Sequence, residues 1–327
     1  GDGSHEWDGF LAPEELPRSF NPAGGFVASA NEMNLPEDRD PSAPSIGHEW
    51  AEGSRARRIK SVLAADRNHT LAASMALQTD VYSRPAEVIV TLLREATSKM
   101  SDGSVERHGI ALLQGWDYRL DAGSAAAALF EVWWMKHFLA RFAPDQAVRQ
   151  LLLPGDFDRL LTLLQTPEHV WSSDERDILM LSTLAKGWED CAARLGPDPS
   201  AWRWGDLHRA LFEHAASRVK PDADAEWNVG PLPVGGSRST PMHAAYRLGD
   251  FGVNAGASVR LVMDVGSWDD SVCVNTPGQS GDPRSSHYAD LSGPWSRGDY
   301  VPLLYSRDKV DAATAHLIRL SPATDEE

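Results

Sequence analysis

Cysteine is scarce, long apolar runs are missing and positive charge is in deficit, and each shortfall excludes a class of protein. Only Cys191 and Cys273 are present, too few for the disulfide framework of a small secreted domain. One bridge between them stays open at this point. Cys191 falls on the apolar side of a predicted helix, where a small buried hydrophobe is expected. No stretch approaches the ~20 consecutive apolar residues that a membrane-spanning helix needs. The 31 Lys and Arg set against 47 Asp and Glu leave a formal charge of −16. That is the wrong sign for a phosphate backbone, so nucleic acid is excluded as a partner. The one basic cluster, Arg55-Ala56-Arg57-Arg58, reads as the wet face of a helix. None of the histidines forms an HxH or HxxxH pair with a supporting carboxylate, so no zinc site is predicted. A GxSxG elbow, a P-loop and a strand-borne GxGxxG are also missing. Gly278-Gln279-Ser280-Gly281 imitates a nucleophile turn but lies in a Pro/Gly-rich loop.

What remains is a chain of 327 residues, 42% hydrophobic and 24% charged, the composition of a soluble globular protein. Three regions differ in texture. Residues 1–54 are rich in Pro, Gly and acids, and "FVASAN", Phe26 to Asn31, is their one predicted strand. Residues 55–216 turn helical. Ile59, Val62 and Leu63 share a face; Pro85 starts a helix through Val88, Ile89, Leu92, Leu93 and Ala96. Ser124 is a predicted N-cap for a helix reaching Leu139. A longer helix spans about Asp174 to Leu195 and stops at Gly196; its apolar stripe includes Ile178, Leu181, Leu184, Trp188 and Cys191. "WRWGDLHRALFEHA" is predicted as a last helix with Trp204, Leu207 and Leu211 facing inward. Over residues 217–327 the period changes to two. "ASVRLVMDV" and "VCVN" predict a β-hairpin, and "YVPLLYS" a final strand or extended segment. Loop and strand, then helices, then strands again argue for an α+β fold. Gly1 does not look like the start of a gene product, and the opening residues read as the interior of a longer chain.

Five stretches, in order, carry a resemblance. They are Glu6–Asn34 ending "FVASANEMN", then "WAEGSRARRIKSVL" from Trp50, "LQTDVYS" from Leu77 and "WRWGDLHRALFEH" from Trp202. The last joins "GASVRLVMDVGSWDDS" to "GQSGDPRSSHYADLSGPW", Gly256 to Trp295. Together they resemble the penicillin acylase (penicillin amidase) family of N-terminal-nucleophile hydrolases, over almost the whole chain. The resemblance implies a partial αββα sandwich with a large helical insertion. It implies catalysis by a Ser at the start of a β chain, with its own α-amino group as base.

On that resemblance, Asn31 matches the family's oxyanion Asn, and Arg55 the Arg that supports this Asn and the substrate. Where the family often has a second Asn, this chain has Glu32. A structural calcium is implied, with Asp38 and Asp40 as candidate ligands and Glu37 nearby; catalysis needs no cofactor. No segment here resembles the one that carries the nucleophilic Ser. The chain therefore corresponds to the C-terminal part of the β chain, inactive alone. Its implied partners are an upstream α chain, the Ser-bearing N-terminal part of the β chain and a small N-acylated substrate. β-Lactam side chains, acyl-homoserine lactones and lipopeptide acyl groups are all within the family's range. A periplasmic or secreted location is implied by the same route. Two alternatives stay open: a catalytically silent scaffold of the same fold, and a carbohydrate-binding protein whose twelve tryptophans stack on sugar rings.

Overall fold

The computed structural model describes residues 1–4, 6, 9–36, 39–40, 42–47, 49–97, 105–142, 154–166, 172–219 and 227–322. Helices fill the middle of the chain: α1 Ser54–Ala65, α2 Leu71–Gln78, α3 Arg84–Ala96, α4 Val105–Gln114, α5 Ala125–Glu131, α6 Pro154–Gln165 and α7 Ser173–Leu195. Side chains set their ends. Ser83 accepts from Ala86 N–H at the start of α3, with Pro85 in its first turn, where the missing N–H costs nothing. Ser124 caps α5, and Ser172 with Glu175 forms a reciprocal capping box on α7. The α7 helix stops at Gly196, whose φ of 98° suits a residue without Cβ.

The α5 helix does not end in a loop. It runs on into a π-helical stretch, Val132–Phe138, that buries Trp133, Trp134 and Phe138. This stretch packs against α7 more closely than ordinary side chains permit. A Cβ on Gly187 would lie 2.6 Å from Trp133 Cβ, so glycine is what lets the two backbones approach. Trp133 Nε1 donates to Thr183 Oγ1 across the same contact at 2.9 Å. Trp204, Tyr246 and Phe251 join this main core from the later part of the chain.

Strands are short. β1 Arg209–Phe212 pairs antiparallel with β2 Val229–Pro233, and β3 Ala244–Tyr246 with β4 Val253–Gly256. β5 Val259–Val262, β6 Val272–Asn275 and β7 Val301–Pro302 form an antiparallel sheet in that order. The fold is α+β, with most helices ahead of the strands and two short ones, Ser292–Arg297 and Arg307–Ala313, before and after β7.

Three local expectations fail. Phe26–Asn31 forms no strand, because among the described residues none pairs with the backbone of Phe26 to Ser29; Asn31 C=O accepts from Ala51 N–H, and Glu32 makes an isolated bridge to Ala51. "WRWGDLHRALFEHA" gives one helical turn, Trp204–Leu207, and then β1, and Leu211 points outward because β2 claims that segment's backbone. Ile178 is exposed at 65%; the side of α7 that turns inward there carries Arg176 and Asp177, paired with each other at 2.7 Å. "YVPLLYS" holds the short strand Val301–Pro302, within the expectation of a final strand or extended segment. Both cysteines are free. Trp133, Trp202 and Trp204 are fully enclosed, which removes them from any sugar-stacking surface.

Candidate active site

Asn31 has left-handed backbone, φ 67°, a conformation Asn tolerates better than most residues. Its carbonyl accepts from Ala51 N–H at 2.7 Å. That bond ties the peptide carrying Asn31 to the short stretch leading into α1. Arg55 is the second residue of α1, and its Nη2 donates to Asn31 Oδ1 at 3.1 Å. A guanidinium has donors only, so the contact fixes the amide with its oxygen toward Arg55 and its nitrogen away. Among the described residues, none accepts from Asn31 Nδ2, and the side chain is exposed. An oriented pair of N–H donors therefore faces outward.

The three arginines of α1 have separate occupations. Arg57 pairs with Asp158, which also accepts from Gly53 N–H at 2.7 Å. Arg58 donates to buried Asp80 at 2.6 Å, and Arg119 holds the other oxygen of Asp80 at 2.9 Å. Arg55 is the one turned to Asn31.

Two acids lie beneath it. Glu32 is buried and accepts from Lys60 at 2.8 Å and from Ala30 N–H at 2.7 Å. Burial alone would raise its pKa, but these two donors outweigh it and keep the carboxylate below its usual range. Glu52 is also buried; its Oε2 accepts from Ser54 N–H at 2.7 Å, while Oε1 has no hydrogen-bond partner among the described residues. Burial pushes the Glu52 pKa up. Burial draws the Arg55 pKa down, and the charges of Glu52 and Glu32 oppose that. His243 sits on the other side. Burial, then the charges of Arg55 and Arg238, lower its pKa to about 4, so the ring is neutral at pH 7.

The loop 234–243 connects this region to the core. Thr240 Oγ1 accepts from Ser237 N–H at 2.9 Å and donates to Met242 O at 2.7 Å. Gly236, at φ 79°, supplies the left-handed turn. Below the loop, Tyr246 O–H donates to Glu131, which is fully enclosed at the end of α5. Burial pushes the Glu131 pKa up to about 7. A carboxyl that prefers its proton when folded stabilises the protein below its unfolded pKa, and that contribution is lost as pH rises through about 7. Glu131→Gln keeps an acceptor for Tyr246 and removes the titration. Relative to the parent chain, it should gain on the order of 3 kcal/mol between pH 4.5 and 8, read from urea midpoints. A difference that is flat with pH would contradict the buried, protonated carboxyl.

Glu52, His243, Arg238 and Asp80 were not singled out by sequence patterns. The one hint is the acid in "WAEGSR", two residues ahead of a helix start. Asp38 and Glu37 lie outside the described residues. Asp40 is exposed and its carboxylate is turned onto Ser42, accepting from N–H at 2.8 Å and Oγ at 2.7 Å. Among the described residues, no group of three or more His, Cys, Asp or Glu is placed to hold a metal.

Comparison with known proteins covers nearly all of the chain. The family model described as penicillin amidase matches residues 1–312. Penicillin acylase 2 proenzyme of a Pseudomonas species is 30% identical over 98% of this chain and 42% of its own length. Acyl-homoserine lactone acylase QuiP of Pseudomonas aeruginosa is 26% identical, again over 98% of this chain and 42% of the relative. The chain thus spans less than half the length of these relatives. The solved thermostable penicillin G acylase of Alcaligenes faecalis superposes with a TM-score of 0.60 over 99% of this chain and 62% of that one, at 16% identity. That likeness bears on the fold.

Proposed function

The chain belongs to the penicillin amidase family, and from that premise we propose that it supplies the oxyanion side of an amide-hydrolysing site whose nucleophile is an N-terminal Ser on an upstream segment outside these residues. The observation that carries this reading is the Arg55–Asn31 hydrogen bond, which leaves Asn31 Nδ2 aimed outward as a neutral donor.

In the proposed reaction, the hydroxyl of an N-terminal Ser attacks the carbonyl carbon of an N-acyl amide. Its own α-amino group, which titrates near neutrality, takes the hydroxyl proton. The carbonyl oxygen gains negative charge, and Asn31 Nδ2 donates to it without having to ionise. Collapse breaks the C–N bond, and the leaving amine takes the proton back from the α-ammonium. Water then releases the acid from the acyl-enzyme. The names of the relatives, penicillin acylase and acyl-homoserine lactone acylase, support a small N-acylated substrate, with the acyl pocket formed by that upstream segment.

A chromogenic acyl-amide panel tests the reading. The isolated chain should be inactive, and the same chain within the longer polypeptide of its relatives' length should release amine. Hydrolysis by the isolated chain would overturn the need for a nucleophile outside these residues. Export to the periplasm or the medium belongs to the same reading and is checked by cell fractionation.

A further inference from the structure

Between Glu52 and Lys60 the charged side chains fall into two groups. Arg57, Arg58 and Lys60 are ion-paired, with Asp158, Asp80 and Glu32 in that order. Glu52 and Arg55 have no ion pair among the described residues. Arg55 Nη2 donates instead to the neutral amide of Asn31 at 3.1 Å. Glu52 is 3% exposed, and Ser54 N–H holds its Oε2 at 2.7 Å, which fixes the carboxylate against the start of α1. Ser54 and Ser239 turn their hydroxyls toward it. Even so, Glu52 Oε1 and Ser54 Oγ are buried without a hydrogen-bond partner among the described residues.

An acid in that position costs desolvation energy and regains little of it through hydrogen bonds. Its charge has one clear beneficiary. Burial disfavours the Arg55 guanidinium, and the charge of Glu52 is the largest influence opposing that, ahead of Glu32, which Lys60 already neutralises. Because Ser54 N–H anchors Glu52, it acts on Arg55 through space and does not draw the guanidinium off Asn31 into an ion pair. The other charged and titratable groups around the two are accounted for. The Arg57–Asp158 pair packs on Gly53, the Lys60–Glu32 pair lies along α1, and the loop 234–243 brings Arg238 and the neutral His243.

Resting on the reading above, we propose that Glu52 is a positioning residue for the hydrolysis: its buried carboxylate is the counter-charge that keeps the Arg55 guanidinium beside Asn31, and so keeps Asn31 Nδ2 turned to the reacting oxygen. Without that charge Arg55 gains by swinging into water, and the Asn31 amide loses the contact that orients it.

Glu52→Gln in the longer protein keeps an acceptor for Ser54 N–H and removes the charge. It should lower kcat ~10-fold where Glu52 is ionised, with a urea midpoint no lower than the parent's, since a buried charge has been removed. Burial raises the Glu52 pKa, so the charge is present above that raised value and lost as pH falls through it. The parent-to-variant ratio of kcat should therefore shrink toward one on the acid side; the α-amino base titrates in both proteins and cancels. In an Arg55→Gln background the same substitution should change kcat less than about twofold. A loss that is flat with pH, that adds in full to Arg55→Gln, or that stays below about twofold throughout the profile would overturn the proposal. Crystal structures of the longer parent and of Glu52→Gln test it without an assay: only in the variant should Arg55 Nη2 stand beyond hydrogen-bond reach of Asn31 Oδ1. That displacement in a protein that hydrolyses no amide would uphold the positioning and sink the amidase reading. Arg55 in place in an active variant would overturn the positioning and leave the amidase reading intact.

Discussion

Replacing Asn31 lowers kcat by ~10²–10³ in the longer, active protein while leaving KM nearly unchanged, the expected result for a donor that acts mainly on the transition state. Two variants separate chemistry from folding. Asn31→Ala removes the amide but also puts a less tolerant residue at φ 67°, which adds backbone strain of about 1 kcal/mol. Asn31→Asp keeps the short side chain and the contact with Arg55, now as an ion pair in place of the 3.1 Å hydrogen bond. It should therefore fold at least as stably as the parent. Because a carboxylate has no N–H to offer and repels a developing oxyanion, its activity loss should equal or exceed that of Ala. Activity within tenfold of the parent in Asn31→Asp would show that this side chain does not face the reacting oxygen.

Trp133→Ala carries the largest expected stability loss, about 3–5 kcal/mol from truncation of a buried Trp. The ring is wholly enclosed and lies edge-on to Phe130 and Phe138, with centroids 6.2 Å and 6.1 Å away. Gly187 fits directly against its Cβ, so the backbone there is already in close contact and cannot collapse to fill the void. Thr183 Oγ1 loses the indole N–H but still donates to Leu179 O at 2.8 Å, so the cost is mainly cavity rather than an orphaned hydroxyl. Urea unfolding monitored by circular dichroism measures it. Trp133→Phe should recover more than half of the loss, since it restores most of the filled volume.

Features encoded within one segment were legible in the sequence, and those that need a distant partner were not. The Gly196 stop is readable from the sequence, and α7 begins within a residue of its expected start, because helix ends are set by local chemistry. The β5–β6 pairing follows from alternation and a turn. By contrast, "FVASAN" has strand composition but no paired ladder, and whether an extended segment becomes a strand depends on backbone elsewhere. The segment after Trp204 shows the opposite failure: helical spacing at Leu207 and Leu211 gave way to β1 because β2 competes for the same backbone. The π-helical winding of Val132–Phe138 leaves no mark in a pattern of apolar residues. At the site, the resemblance selected Asn31 and Arg55, and the structure brings them within hydrogen-bond distance. Spacing alone could not have separated Arg55 from Arg57 and Arg58. What separates them is the tertiary position of Asp158 and Asp80. Glu52 and His243, 191 residues apart by their numbers (243 − 52), meet around Arg55 only through the fold.

The central claim is that Asn31 and Arg55 serve a nucleophile carried by an upstream segment outside residues 1–327. The measurement that tests it most directly is the site of covalent modification by phenylmethanesulfonyl fluoride in the longer, active protein, read by intact mass and N-terminal sequencing. The account predicts a single sulfonyl adduct on an N-terminal Ser of that upstream segment, with loss of amidase activity and no adduct within residues 1–327. An adduct on a residue of this chain that accompanies inactivation would contradict it.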